Sequence, residues 1–273
     1  MRATALALCA VGLVISRNAG AQLLVDPLEV TITAAAAGRV VSSFSLSNTS
    51  DKPVQATITR QDWDRVENGD NRFLPRGTSG SSCGSILSIS PLSVRVEPRS
   101  SRIVRLAVQN AAGLAKECWD IFFVEEVPQR TSASGNSLQY IFRTGVKVYV
   151  APPGLRSDGA VENMSLEEVP MGATASSTSA KLPGALTKRQ IALRFHNTGA
   201  MHLLAKGHLE FRRLDNTLAM QVPIAEFPTL PGATRKIMMD VPPGLTPGDY
   251  VVLALIDFGG PELVAGQIEY RAK

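Results

Sequence analysis

Aromatic residues are scarce, 5% of the 273-residue chain, and there are only three cysteines and three histidines. That stock is too small for a multi-zinc protein. His196, His202 and His208 recur every six residues, and three imidazoles can hold zinc. The turn signal Asn197-Thr198-Gly199 separates the first two, however, so they read as solvated surface histidines and no metal is expected. There is no G-x-S-x-G, H-E-x-x-H, C-x-x-C or phosphate-binding glycine loop, so neither an enzyme nor a cofactor is expected. Glu125 and Glu126 are neighbours on a predicted strand and face opposite ways, which excludes paired acid/base work. The formal charge of +4 comes without a Lys/Arg cluster and is no nucleic-acid footprint. What is present, 44% hydrophobic and 19% charged residues, is a globular composition.

The longest apolar run is at the start. Met1-Arg2 is a short positive lead, residues 3–15 are mostly apolar, and Ala19-Gly20-Ala21 is a small-x-small cleavage site. Residues 1–21 therefore read as a secretory signal cleaved after Ala21, too short to span a bilayer. No later run approaches the about 18 residues of a membrane span, so the mature chain is expected to be exported without membrane insertion. It keeps two cysteines, Cys83 and Cys118. In an oxidising compartment such a pair bridges, closing a loop of about 35 residues worth about 3–4 kcal/mol. The alternative is two buried free thiols.

Period-two alternation runs through the chain: Leu28, Val30 and Ile32; Phe44 and Leu46; Val54, Ala56 and Ile58; Leu92, Val94 and Val96; Val104, Leu106 and Val108; Trp119, Ile121 and Phe123. Turn residues such as 67–71 and Glu97-Pro98 separate these sets. Many short strands at this spacing predict an all-β sandwich. Ala151-Pro152-Pro153-Gly154 cannot continue a central strand and marks a linker. A second series follows, including Ile191, Leu193 and Phe195, then Val251, Leu253 and Leu255. The predicted domains are residues 22–150 and 154–273, each long enough for an immunoglobulin-like sandwich. Tyr250, after Pro247-Gly248-Asp249, suits a tyrosine corner. Residues 172–181, rich in Ser, Thr and Ala, read as a flexible loop.

The most informative segment is residues 138–150. Leu138, Tyr140 and Phe142 form one apolar row, Val146, Val148 and Val150 a second, and Lys147 lies within. Periodicity alone assigns such rows to the domain's own core, and Lys147 to a solvated edge. A long strand carrying a cation can instead lend its edge to another protein by β-augmentation.

Several segments in order resemble a known family. They are Val25-Asp26-Pro27 running to Ile32, Ser45-Leu46-Ser47-Asn48, Val96-Glu97-Pro98 followed by Ile103-Val104-Arg105-Leu106, residues 122–128 (Phe-Phe-Val-Glu-Glu-Val-Pro), residues 138–150, and residues 255–260 (Leu-Ile-Asp-Phe-Gly-Gly). The chain resembles the periplasmic pilus-assembly chaperones of the chaperone–usher pathway, PapD-like proteins of two immunoglobulin-like domains set at an angle with a cleft between them. The resemblance implies a periplasmic chaperone that completes strand-deficient pilus or fimbrial subunits by donor-strand complementation and delivers them to an outer-membrane usher. It makes Leu138, Tyr140, Phe142, Val146 and Val148 the subunit-binding donor strand. Burial of the first three would give roughly 5–9 kcal/mol before association costs. It makes Lys147 the anchor for a subunit's terminal carboxylate, and Glu117 and Asp257 interdomain residues.

Three departures stand out. Glu29 occupies the apparent position of the family's first-strand arginine, where a carboxylate repels a subunit's C-terminus unless it pairs with Lys147. Ala151 stands where an interdomain arginine is expected, with Arg156 as a substitute. The cysteine pair is not general to the family. The short loop 129–137 resembles the branch serving rod-like pili. The competing reading is a secreted two-domain structural or adhesive protein, which needs no cation in residues 138–150.

Overall fold

A computed structural model describes residues 22–35, 38–128, 141–171 and 187–272. The export segment, the loops 129–137 and 172–181, Leu138 and Tyr140 lie outside the described residues.

The chain is all-β, as expected. Among the described residues ten strands build the first sandwich: β1 (Leu23–Asp26), β2 (Glu29–Thr33), β3 (Arg39–Asn48), β4 (Val54–Arg65), β5 (Asn71–Leu74), β6 (Leu87–Ser90), β7 (Ser93–Val96), β8 (Ser101–Gln109), β9 (Cys118–Glu126) and β10 (Arg143–Ala151). One sheet runs β1-β3-β8-β6. The other runs β2-β10-β9-β4-β5, with β7 also on β4. Pro27, which lacks an N–H, separates β1 from β2 as the chain passes from one sheet to the other. The alternation read in the sequence locates the inner faces: Val30, Ile32, Phe44, Leu46, Val104, Leu106 and Val108 all enter one core. Leu28 and Leu92, placed in those rows by sequence, are exposed, because each lies just outside its strand.

Cys83 and Cys118 are joined by a disulfide, with Cα atoms 4.9 Å apart. Beside it the buried carboxylate of Asp120 is paired with Arg60 and accepts the Ser82 hydroxyl at 2.8 Å and the Cys83 N–H at 3.2 Å. Burial pushes the Asp120 carboxyl up, against the pull of these partners. Arg60 also donates to the carbonyls of Gly84 and Leu87, at 2.8 and 2.9 Å. This end of the sandwich is therefore polar, with the Asp120 carboxylate fully partnered and the Arg60 Nε buried without a hydrogen-bond partner.

Among the described residues seven strands build the second sandwich: β11 (Ala160–Pro170), β12 (Thr187–His196), β13 (Leu203–Arg213), β14 (Leu218–Thr229), β15 (Thr234–Asp240), β16 (Gly248–Asp257) and β17 (Val264–Ala272). The sheets are β11-β12-β15 and β14-β13-β16-β17. Pro223 and Pro228 fall in β14, an edge strand, where a missing ladder donor is tolerated. Gly207 lies at a bulge in β13. A Cβ there would fall 2.1 Å from the Leu255 carbonyl oxygen, so only glycine lets β13 approach β16. The Tyr250 hydroxyl donates to the Thr246 carbonyl at 2.8 Å, closing the tyrosine corner anticipated from the sequence.

Candidate functional site at the domain junction

The site is the outer face of the second sheet of the first sandwich. β9 is unusual in being buried on both faces along most of its length. Phe122 and Val124 point into the sandwich core, whereas Trp119, Ile121 and Phe123 form a second apolar cluster with Trp63, Tyr149 and, from the other sandwich, Leu230. The row Trp119, Ile121 and Phe123 is thus not the core row of its own domain. Antiparallel register sets Tyr149 beside Trp119, Lys147 beside Ile121 and Gly145 beside Phe123. A Cβ on Gly145 would come within 2.8 Å of Ile121 Cδ1 and 3.2 Å of Phe123 Cε1, so these side chains fold over a bare backbone. Phe73 stands edge-on to Phe123 at 5.1 Å, and the Arg143 guanidinium lies 3.7 Å from the same ring.

Two polar clamps flank the cluster. Glu117 is buried. Its carboxylate accepts the His202 backbone N–H at 2.6 Å and His202 Nδ1 at 2.8 Å, and its own N–H donates to the Ala200 carbonyl at 2.9 Å. The His202 ring stacks on Tyr149, centroids 4.1 Å apart. Burial raises the Tyr149 hydroxyl well above its ordinary value, with Glu29 and Glu117 adding to the shift and Arg65 opposing it. On the other side, Glu67 holds Arg194 through both carboxylate oxygens, each at 2.8 Å. Its carbonyl accepts the Lys236 N–H at 2.8 Å and Arg235 at 2.7 Å. Gly69 is required here: its φ is +97° and the Arg235 guanidinium occupies the place a Cβ would take.

These contacts revise several expectations. Glu117 does join the two sandwiches, but its partner is His202, not an arginine. His202 is therefore a junction residue, whereas the sequence reading made it a solvated surface histidine. Asp257 accepts the Gly259 N–H at 3.0 Å and closes a local turn. Val146 and Val148, expected to meet a subunit, are fully buried in the first sandwich's own core, because their positions on β10 face inward. Phe142 is half-buried, and its carbonyl accepts the Glu126 N–H at 3.1 Å. His196 and His208 have separate polar neighbours, Thr234 at 3.0 Å and Glu210 at 3.3 Å. Sequence reasoning missed Trp63, Glu67, Arg194, Leu230 and Arg235. A usable signal was the run Trp119 to Val124, apolar at every position but Asp120, which is too apolar for a strand with one wet face.

β10 has two different edges. Residues Lys147 to Ala151 pair in parallel with Glu29 to Thr33 of β2, and the Lys147 N–H donates to the Leu28 carbonyl at 2.9 Å. Upstream, Arg143 to Val146 pair with β9 alone among the described strands. Since Phe142 bonds toward β9, antiparallel alternation turns the backbone groups of Arg143 and Gly145 toward the opposite, uncovered edge. At the end of that edge the Lys147 ammonium lies 2.7 Å from Glu29 Oε1 and 5.2 Å from the Trp63 ring centroid.

Residues 25–156 match the family model of the pili and flagellar-assembly chaperones, PapD N-terminal domain. No match is found among curated protein sequences. Among solved structures the chain is similar to one from a chaperone–tip adhesin complex described as vital for synergistic activation of CFA/I fimbriae biogenesis. That match has a TM-score of 0.53 and 12% identity, and covers 92% of this chain and 100% of the other. A second similar structure is the class 5 fimbriae chaperone CfaA, with a TM-score of 0.52 and 12% identity, covering 90% of this chain and 98% of that one. These likenesses extend the fold over both sandwiches, and residues 25–156 are similar to the PapD N-terminal domain of the assembly chaperones.

Proposed function

We propose that the protein is a periplasmic chaperone for pilus or fimbrial subunits, which it completes by donating a strand and passes to an outer-membrane usher. The observation that carries this reading is the edge of β10 at Arg143 to Val146, which no described strand covers. Unpaired strand edges template the addition of another strand, and natural domains rarely leave one open without a use. On its other side this stretch of β10 is held by the full antiparallel register with β9. Val146 and Val148 serve as the inner footing of that strand. The contact row is Leu138, Tyr140 and Phe142, of which the first two precede the described part of the strand. In a regular continuation all three share the parity of Val146 and hence one face.

Co-expression with a strand-deficient subunit is expected to give a 1:1 complex by size-exclusion chromatography. Tyr140→Asp with Phe142→Asp should abolish it while the chaperone still folds. Unchanged recovery of the complex with that double variant removes donor-strand complementation from the reading.

A further inference from the structure

At the downstream end of its open edge, β10 carries an ion pair that alters what can bind there. Lys147 is the one lysine on the strand. Its side chain is 18% exposed, lies against Trp63, and has its charge balanced by Glu29 at 2.7 Å. Glu29 is the opposite: 57% exposed, with one oxygen on Lys147 and the carboxylate otherwise turned to water. The Arg65 guanidinium, 5.7 Å from the Trp63 ring centroid, is another cation beside this cluster. Glu29 is also the first residue of β2, the strand that occupies this same edge of β10 from Lys147 onward. The Leu28 carbonyl, which accepts the Lys147 N–H, begins that occupancy, so a strand added along Arg143 to Val146 ends against Leu28 and Glu29, whichever way it points. The cation there is half-sequestered and already neutralised, whereas the accessible group is an anion.

Building on the strand-donation reading, we propose that Glu29 makes this end of the edge a cation-accepting subsite. The incoming strand sets a lysine or arginine side chain, or an amino terminus, against Glu29 and carries no free terminal carboxylate at that point. Lys147 acts as a positioning residue, holding the Glu29 carboxylate at the end of the edge. A carboxylate arriving here must be desolvated beside Glu29 and finds the ammonium occupied. An ammonium or guanidinium meets an exposed oxygen, with Trp63 and Tyr149 lowering the local dielectric.

The test uses the full-length mature protein and three synthetic decamers of alternating valine and threonine. One ends in a free carboxylate, one in an amide, and one in a lysine amide. Binding is read by fluorescence anisotropy at low salt. The lysine amide is expected to bind about tenfold more tightly than the free acid, with the plain amide between them. Glu29→Gln should flatten the series and Glu29→Arg should invert it, with the melting temperature of each variant checking that it is folded. Preference of the parent for the free acid, lost in Lys147→Ala, overturns the inference and leaves strand donation intact. So does a flat series in the parent when the subunit complex still forms. Failure of every decamer together with failure of subunit capture overturns both.

Discussion

β9 and β16 are the equivalent central strands of their sandwiches, and they differ in one respect. In β16, Tyr250, Val252, Ala254 and Ile256 are buried while Val251, Leu253 and Leu255 are only half-covered. In β9 both rows are buried. The inner row of each strand serves its own core. The outer row of β9 serves the junction, where Leu230 packs on Trp63, Trp119, Ile121, Phe123 and Tyr149. A sheet face becomes apolar where something leans on it, so the outer face of the first sandwich records the position of the second.

The largest expected effect lies on the inner row. Phe122→Ala should cost the first sandwich about 3–5 kcal/mol, read as a lowered urea midpoint, because a buried aromatic leaves a cavity that its neighbours fill only in part. Next comes the residue of the second sandwich that covers the outer row of the first. Leu230→Ala should cost about 2–3 kcal/mol of junction stability. Both sandwiches should stay folded, and the linker near Pro152 should become easier for a protease to cut. Simultaneous unfolding of either sandwich in that variant would mean the two are one cooperative unit. The smallest effect belongs to the outer face of the second sandwich: Leu253→Gln should change stability by about 0.5 kcal/mol or less in the same titration. A loss comparable to that of Leu230→Ala would imply a covered face on β16 and erase the contrast.

How far the sequence leads can be read from individual residues. Alternation located the inner faces of both sandwiches because pleating sends neighbouring side chains to opposite sides with a fixed period. It chose the wrong row on β9, where Trp119, Ile121 and Phe123 alternate as regularly as Cys118, Phe122 and Val124. The disulfide followed from compartment and count, and the tyrosine corner from a turn beside a tyrosine. Glu117 was legible as a junction residue, but its partner was not. Nothing near His202 in sequence distinguishes it from His196 or His208, and its role comes from the Tyr149 ring beneath it and the buried carboxylate of Glu117. Val146 and Val148 were assigned to the subunit-binding strand by the family resemblance, against what periodicity alone gave. The structure uses them to fill the core, leaving the backbone edge of β10 as the part available to a partner.

By itself the sequence determined strand content, the break after Ala151, the cysteine pair and the presence of a cation inside the last strand of the first sandwich. All of these rest on local periodicity, turn chemistry or composition. Only the tertiary structure decided that Glu29 holds Lys147, that Glu67 grips Arg194 from 127 positions away, and that the two tryptophans line a junction and not a core. Those partners meet because two preformed sandwiches dock in one register, and docking depends on which faces are left uncovered after each core has closed. A one-dimensional pattern states that a face is apolar; the element that covers it is set by the chain's path through space.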